Sequence, residues 1–427
     1  MRIAVVGLGP AGLRTAMLLK DKGATVHAYE ASDRIGGRLQ TIVEAGRPLF
    51  EAGGEWIDAD HRRTHALAKE LGCPLNGKPR PPGLVRFGKE TCREDALWPD
   101  AADAVAEFER RSTEACAHLP KKGGSSEAKR LDGTSLAQWL DKCASTPRAR
   151  WVLEAILRSD EGMDTRAISL LGWLKGYQLY LDRHEGAMSA GRFVRGTSDS
   201  CQRMLEASGV EPRFGSRVLG IRKSGAGAEL MLSGGTREAN TYDRVVLALP
   251  PLAASRIAID PKLEPIQRTR ARFALGSGLA MKISWEFDRK FWLDEGESGS
   301  VLDRGPLQQI WDASLSDTPI LSAYICGVTC TEVPEADTVA WGLDRLASIF
   351  PSARERFVRG WASNWVRDPH IACGFSFPRL GYAMAHGDLP ASPVGPLHFA
   401  GEWTAQWWGF IEGALESAER VADEVGS

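Results

Sequence analysis

The chain has 427 residues, of which 43% are hydrophobic and 25% are charged, as in soluble globular proteins with two or three compact units. Its 53 basic and 55 acidic residues give a formal net charge of -2 and form no long run of one sign, which argues against nucleic acid and membrane surfaces as partners. No stretch approaches about 18 consecutive apolar residues, so no membrane span is predicted. Because a strand begins almost directly after Met1, we expect no secretory signal and a cytoplasmic location.

The eight cysteines are too sparse for a disulfide scaffold and include no CxxC pair. Cys326 and Cys330 have neither a second pair nor a neighbouring histidine, so their spacing predicts no metal site. We therefore expect reduced, mostly buried thiols and no bound metal.

The first thirty residues predict a strand, a glycine-rich turn, a helix and a second strand. Arg2–Val6 is short and apolar, and Gly7, Gly9 and Gly12 follow as GxGxxG. In such a motif the first glycine permits the sharp turn, the second lets a pyrophosphate approach the backbone, and the third allows close packing of helix on strand. Glu30 ends the second strand, where an acid can hold both ribose hydroxyls. Because strand, helix and acid accompany the glycines, the segment predicts a site for an adenine dinucleotide, either FAD or NAD.

The residues that follow narrow the choice to FAD. After Glu30 the chain reads ASDRIGGRLQT, and residues 50–58 read FEAGGEWID. Both stretches resemble the amine-oxidase family of flavoproteins, which includes monoamine, polyamine and L-amino-acid oxidases. In that family an arginine of the second glycine-rich turn meets the pyrophosphate, and the acid-x-Gly-Gly stretch runs past the flavin. The resemblance implies cofactor contacts for Gly37, Arg38, Gly53, Gly54, Glu55 and Trp56.

The middle of the chain alternates between helical and extended patterns. Residues 137–159 and 166–181 have helical periodicity, whereas residues 217–251 return to an alternating β pattern and end in a buried strand. The resemblance implies that this strand segment rejoins the FAD domain and that the backbone near Val218 touches adenine. Residues 411–425 keep an apolar stripe at helical spacing, which predicts a half-buried final helix.

These elements predict an α/β fold, α+β overall, in which a Rossmann-like FAD-binding domain is interleaved with a substrate-binding domain. The FAD-binding domain is expected to comprise residues 1–75, 195–270 and 390–427. The substrate-binding domain is expected to comprise residues 76–194 and 271–389, with a helical insert and a mixed sheet.

The end of the chain carries a second set of family residues within LHFAGEWTAQWWGFIEGA, residues 397–414. The resemblance implies that Glu402, after Gly401, holds the ribityl or pyrophosphate region of the cofactor. It also implies that Trp365 packs on the flavin side. Three further cofactor contacts follow from the same match: Gly409, Phe410 and Ile411.

Lys282, in GLAMKISWEF, occupies the position of a lysine that in many family members holds a water against flavin N5. From the residues alone, an outward-facing lysine on an amphipathic strand is the leading alternative. However, Met281 and Ile283 flank Lys282 within an apolar strand. Burying a lysine ammonium in such a strand is costly, so an inward-facing lysine needs a functional or structural reason. We therefore expect Lys282 to act in catalysis.

Aromatic residues complete the expected active site. In this family the substrate amine passes between two rings that stand over the flavin, and the matching residues are Phe375 and Phe410. Both positions are often tyrosine in monoamine oxidases, so two phenylalanines favour a bulkier and more apolar amine. Trp407 aligns with a family tryptophan beside the flavin. Trp408 replaces what is often a small residue and is expected to narrow the pocket.

Two departures from the family pattern exclude subclasses. Amino-acid oxidases place an arginine just after the Gly-Gly stretch to grip the substrate carboxylate, whereas this chain has Trp56. Members with covalently bound flavin place a cysteine directly before the second cage aromatic. Here Gly374 precedes Phe375 and Cys373 is one residue early, so we expect noncovalent FAD.

The resemblance implies an FAD-dependent amine oxidase of monoamine-oxidase type. A neutral amine would pass a hydride equivalent to flavin N5, and the resulting imine would hydrolyse to an aldehyde or ketone. Molecular oxygen would then reoxidise the flavin and give hydrogen peroxide. Two alternatives stay open: a tailoring oxidase or desaturase of the same fold acting on a natural product, and a flavin-binding protein without amine oxidase activity. The amine, the electron acceptor and the oligomeric state are left open, with a homodimer as one option.

Overall fold

The computed structural model describes residues 1–120, 125–183, 186, 188–235, 237–260, 276–381 and 391–426. The predicted domain boundaries at 270/271 and 389/390 lie outside the described residues. The fold mixes helices and sheets, with 37% helix and 26% strand, so the predicted α/β class, α+β overall, is confirmed.

Twenty strands are described. In chain order they are β1 (Arg2–Val6), β2 (Thr25–Tyr29), β3 (Thr41–Glu44), β4 (Arg47–Glu51), β5 (Leu84–Phe87), β6 (Glu90–Arg93), β7 (Pro212–Arg213), β8 (Val218–Ser224), β9 (Gly227–Leu232), β10 (Arg237–Tyr242), β11 (Arg244–Leu247), β12 (Ala258–Asp260), β13 (Gly276–Ser277), β14 (Ala280–Phe287), β15 (Val301–Asp303), β16 (Gln309–Asp312), β17 (Ile320–Cys326), β18 (Phe357–Asn364), β19 (Ser376–Phe377) and β20 (Leu397–Phe399).

The described α-helices are α1 (Pro10–Asp21), α2 (Arg62–Glu70), α3 (Pro99–Ala117), α4 (Ser126–Asp132), α5 (Leu136–Leu140), α6 (Pro147–Glu161), α7 (Leu170–Arg183), α8 (Thr197–Ser208), α9 (Pro251–Ser255), α10 (Phe291–Asp294), α11 (Thr338–Leu346), α12 (Ala353–Arg356) and α13 (Ile411–Gly426). The predicted final helix is confirmed by α13, whose buried positions keep the expected stripe. Within the described part of the chain, none of these helices has the length and apolar character needed to span a bilayer.

A five-stranded parallel sheet has the spatial order β20-β11-β1-β2-β7. The glycine-rich turn follows the C-terminal end of its central strand, β1. Ile3 and Val5 on β1 pack with α1, α8 and α13 on one face. Ala4 and Val6 pack on the other face with residues of β8 and β9, which belong to a four-stranded sheet of order β10-β9-β8-β12. Burial on both faces explains why β1 is apolar at successive positions.

A seven-stranded sheet of order β18-β14-β17-β16-β15-β5-β6 forms the second large layer. Its strand β14 lies between β17 and β18, and the register places Lys282 opposite Tyr324 and Ser363. Met281 and Ile283 point into an apolar core. Because side chains alternate along a strand, Lys282 leaves β14 on the opposite face from that core.

The helices α3 to α7 pack around a further apolar core. The stretch of helical periodicity at residues 137–159 is largely helical, and the structure divides it between α5 and α6. The break has a local cause: the Thr146 side chain accepts a hydrogen bond from Ala149 N, and Pro147 occupies the first turn. Both are strong signals for a new helix N-terminus.

Each large sheet is assembled from separate pieces of chain. The five-stranded sheet draws its strands from residues 2–29, 212–247 and 397–399, and the seven-stranded sheet from residues 84–93 and 280–364. The limits of the two domains stay a prediction.

Candidate active site

The glycine-rich turn between β1 and α1 is tightly built. Gly7 has a φ of +93°, and a Cβ there would lie 2.6 Å from the Ala248 carbonyl oxygen. A Cβ on Gly12 would lie 2.0 Å from the Gly7 carbonyl oxygen, so α1 can pack this closely on the turn only without a side chain. Gly9 is different: the nearest atom to its added Cβ is Gly36 O at 3.9 Å. The protein itself therefore leaves the space at Gly9 open.

Glu30 follows β2 and lies beside this turn. Its Oε2 accepts from Leu8 N at 2.8 Å, and its Oε1 accepts from the backbone N and the Oγ of Ser32 at 3.0 and 2.9 Å. A carboxylate offers about four acceptor positions. Protein groups occupy three of them. Glu30 therefore has about one acceptor position left, fewer than the two needed to bind both ribose hydroxyls as expected.

Arg38 and Glu402 were assigned separately to the cofactor, and the structure pairs them with each other. Arg38 Nη1 lies 2.8 Å from Glu402 Oε1 and also donates to Gly374 O at 3.0 Å. Glu402 additionally accepts from Ser376 Oγ at 2.9 Å and from Gly409 N at 2.7 Å. Glu402 thus orients Arg38 and the backbone at Gly409.

Residues from both large sheets line one cavity of about 430 Å³. Most residues assigned from the sequence lie in its wall: Gly7, Gly9, Glu30, Gly37, Arg38, Gly53, Gly54, Glu55, Trp56, Val218, Lys282, Trp365, Phe375, Gly401, Glu402, Trp408, Gly409, Phe410 and Ile411. Two assigned residues, Gly12 and Trp407, are not part of the wall. Among the described residues, no group of His, Cys, Asp and Glu could hold a metal ion.

Lys282 enters the cavity wall as a buried cation. Its Nζ donates to Glu55 Oε2 at 2.8 Å and to Glu51 O at 3.1 Å, and it lies 5.0 Å from the centroid of the Trp311 ring. The alternative of an outward-facing lysine on β14 is wrong, because the side chain is only 9% exposed.

The aromatic residues Phe375, Trp408 and Phe410 lie together in the wall, and glycines of neighbouring elements make room for two of them. A Cβ on Gly162, directly after α6, would lie 2.7 Å from Phe375 Cζ. A Cβ on Gly176 in α7 would lie 2.7 Å from Trp408 Cη2. The helical insert therefore shapes the cavity by fitting closely against these rings.

Trp407 is buried and does not line the cavity among the described residues, and its position beside the flavin stays a prediction. Its ring packs edge-on against Tyr180 and His61 and contacts Phe410, with centroid distances of 4.9, 5.5 and 6.2 Å. The Arg183 guanidinium covers the ring at 4.6 Å. With these neighbours Trp407 supports Phe410 from behind.

Four carboxylates of the wall were missed by the sequence analysis: Asp58, Asp160, Glu161 and Asp368. Burial, and then the nearby Asp58 charge, raise the pKa of Asp160 to about 7. Burial and the adjacent Asp160 raise the pKa of Glu161 to about 8, against a hydrogen bond from the Trp408 indole. Both acids end α6 and look like ordinary polar residues of a helix terminus, so local periodicity could not assign them to a cavity.

The raised pKa values predict a pH-dependent stability. Asp160 and Glu161 titrate near 3.8 and 4.5 when unfolded, so between those values and about pH 7 to 8 the folded protein holds protons that the unfolded chain has lost. Their stabilising contribution is complete below about pH 4, decreases as pH rises from there, and is fully lost once pH has risen through 7 to 8. We expect the melting temperature of the apoprotein to fall over this range, and Glu161→Gln to make the fall shallower by about 2 °C or more. Parallel slopes for wild type and variant would contradict this.

Comparisons with known proteins agree with this geometry. Residues 10–426 match the family described as flavin containing amine oxidoreductase. An amine oxidase of Oncorhynchus mykiss is 25% identical, with 99% of this chain and 85% of that protein aligned. A protein of Dictyostelium discoideum named probable flavin-containing monoamine oxidase A is also 25% identical, over 99% of this chain and 97% of that protein.

Solved structures show the same fold. Putrescine oxidase bound to putrescine has a TM-score of 0.84 at 25% identity, with 100% of this chain and 99% of that chain covered. Cyclohexylamine oxidase from Brevibacterium oxydans has a TM-score of 0.86 at 24% identity, with the same coverage. The chain therefore belongs to the family of flavin-containing amine oxidoreductases, enzymes that act on amine donors with FAD as cofactor.

Proposed function

We propose that this enzyme oxidises the C–N bond of a fairly bulky, apolar amine to an imine, which water converts to an aldehyde or ketone, with oxygen as the electron acceptor and hydrogen peroxide as the second product. The observation that carries the proposal is the position of Lys282, a buried cation in the same cavity wall as Phe375 and Phe410. The name of the related cyclohexylamine oxidase is consistent with a ring-bearing amine.

The cavity residues suit FAD held without a covalent bond. Gly9 leaves open space at the N-terminus of α1, where backbone N–H groups and the helix dipole favour a pyrophosphate. A Cβ added to Gly37 would lie 3.3 Å from Gly9 Cα. The glycine-rich turn that contains Gly37 therefore faces the one that contains Gly9. Cys373 is buried and lies outside the cavity wall, which supports noncovalent binding.

The bound flavin would supply the hydride acceptor and the reaction with oxygen, and the protein would bind and orient the amine. The phenyl rings of Phe375 and Phe410 would hold the substrate carbon in an apolar passage and exclude water. Asp160 and Glu161 would attract an amine that arrives as a cation once they are ionised, which their raised pKa values of about 7 and 8 place at neutral to mildly alkaline pH. Lys282 would place a fixed positive charge beside the reacting centre.

Trp408 is expected to limit the size of the substrate. Trp408→Ala should raise kcat/KM for an amine larger than cyclohexylamine by about tenfold relative to cyclohexylamine, because the indole fills space between α7 and the cavity. Trp408→Phe, which keeps most of the ring but loses the N–H donor, serves as the matched control and should change the preference less. An unchanged preference in Trp408→Ala would show that another residue sets the limit.

The proposal is tested by purifying the FAD-loaded enzyme and measuring peroxide with a panel of ring-bearing, aryl-alkyl and short linear amines. We expect peroxide with the bulky apolar amines and a carbonyl product in equal amount. Peroxide from small linear amines only would contradict the substrate class. A flavin that no amine reduces would favour the desaturase or binding-protein alternatives.

A further inference from the structure

Glu55 and Lys282 come from distant parts of the chain and form an ion pair in the cavity wall. The Nζ–Oε2 distance is 2.8 Å, and the two side chains are only 2% and 9% exposed. The sequence assigned Glu55 to the cofactor, but its described hydrogen bonds go to protein groups. We propose that Glu55 acts as a positioning residue: its carboxylate holds the Lys282 ammonium at one place in the cavity wall. This inference rests on the proposed function.

The geometry around Glu55 is suited to fixing a partner. Its Oε1 accepts from Arg192 Nη1 at 2.8 Å and from Trp311 Nε1 at 3.1 Å, which leaves Oε2 for Lys282. Arg192 is itself held over the Trp56 ring at 4.8 Å. A carboxylate fixed by two other donors cannot follow a moving lysine, and charge-assisted bonds of this length are strong.

Lys282 has further contacts that define its position. Its Nζ also donates to Glu51 O, a backbone atom at the end of β4, and faces the Trp311 ring. The same indole that donates to Glu55 therefore contacts the lysine through its face. Glu55, Trp311 and Lys282 therefore each contact the other two. Because of these contacts, a displacement of the Glu55 carboxylate would also displace the Lys282 ammonium.

The charges in this group also favour a fixed arrangement. Burial opposes ionisation of Glu55, but the Lys282 ammonium and the Arg192 guanidinium outweigh it and hold the pKa of this carboxyl below its usual range. Glu55 is therefore negative at neutral pH and lies between two cations. Removing its charge leaves the buried Lys282 ammonium and the partly buried Arg192 guanidinium with less compensation, a costly state in a protein interior.

The first experiment is a double-mutant cycle on the FAD-loaded enzyme. Stopped-flow measurements give the rates of flavin reduction by amine and of reoxidation by oxygen for wild type, Glu55→Gln, Lys282→Met and the double variant. We expect Glu55→Gln to slow the same half-reaction as Lys282→Met, by about tenfold or more. The double variant should be no slower than Lys282→Met alone, because a positioning residue has no effect once its partner is gone. Glu55→Asp, which keeps the charge, should recover part of the rate.

The second experiment uses the apoprotein and needs no catalysis. Glu55→Gln should lower the melting temperature, and adding Lys282→Met should restore part of the loss because one uncompensated ammonium is removed. Glu412→Gln is the matched control: it removes another buried carboxylate, bonded to Thr64 and Arg63 outside the cavity. It should lower the melting temperature without changing either flavin half-reaction.

Two results would overturn the inference: equal slowing by Glu55→Gln in the wild-type and Lys282→Met backgrounds, or no slowing at all. Failure of the proposed function has a different signature, since no amine would then reduce the wild-type flavin. In that case the apoprotein cycle still decides whether Glu55 holds Lys282. A double variant less stable than Glu55→Gln would contradict the pairing.

Discussion

Lys282→Met is expected to slow turnover of a bound amine by at least about 10²-fold, the scale of losing one fixed charge or donor in an active site, while FAD stays bound. The lysine is held in the cavity wall by Glu55 and the Glu51 carbonyl, and a thioether can replace its volume but not its charge. Stopped-flow absorbance, with reduction and reoxidation measured separately, identifies the half-reaction that needs the cation.

Lys290→Met is the matched control for this prediction. Lys290 pairs with Asp312 at 2.9 Å and does not line the cavity, so its replacement should leave both half-reactions within about twofold of wild type. If Lys282→Met also stays within about twofold in both half-reactions, the assigned role of Lys282 is wrong.

Gly9→Ala and Gly12→Ala are expected to fail in different ways, although the two glycines lie three residues apart. A Cβ on Gly12 would meet the Gly7 carbonyl at 2.0 Å, so the apoprotein itself should lose stability, by about 1 to 3 kcal/mol or more. The nearest protein atom to a Cβ on Gly9 would be Gly36 O, at 3.9 Å. This Cβ would instead occupy the space proposed for the pyrophosphate, which should weaken FAD binding by tenfold or more, about 1.4 kcal/mol.

Two measurements separate these effects: thermal melting of each apoprotein, and a flavin titration followed by fluorescence. We expect Gly12→Ala to melt at a clearly lower temperature than wild type, and Gly9→Ala to melt close to wild type with a raised Kd for FAD. An unaltered Kd in Gly9→Ala would place the pyrophosphate elsewhere in the cavity.

Local sequence patterns predicted the parts of the molecule that depend on near neighbours. The strand, the GxGxxG turn and α1 follow from the order of residues 2–21, and the close approach of Gly12 to the Gly7 carbonyl is a steric demand within the same unit. The apolar stripe of α13 similarly follows from helical spacing alone. The break between α5 and α6 could also be predicted, because Thr146 and Pro147 are strong helix-start residues. It was missed because the residues on both sides of it have helical periodicity.

The contacts that build the site were not readable in this way. Glu55 is 227 residues from Lys282, and Arg38 is 364 residues from Glu402. No periodicity or propensity reports on pairs so far apart, and these arise only when separate chain segments enter common sheets. For the same reason the family match placed Glu55 and Lys282 in one region without indicating that they bind each other.

The central claim is that this cavity binds an amine beside FAD and oxidises it. It is tested most directly by mixing the FAD-loaded enzyme with cyclohexylamine without oxygen and following the visible absorbance of the flavin. We predict complete bleaching, at a rate that saturates with amine concentration, with one equivalent of ketone per flavin. A flavin that stays oxidised with cyclohexylamine and with aryl-alkyl and larger apolar amines would contradict the account.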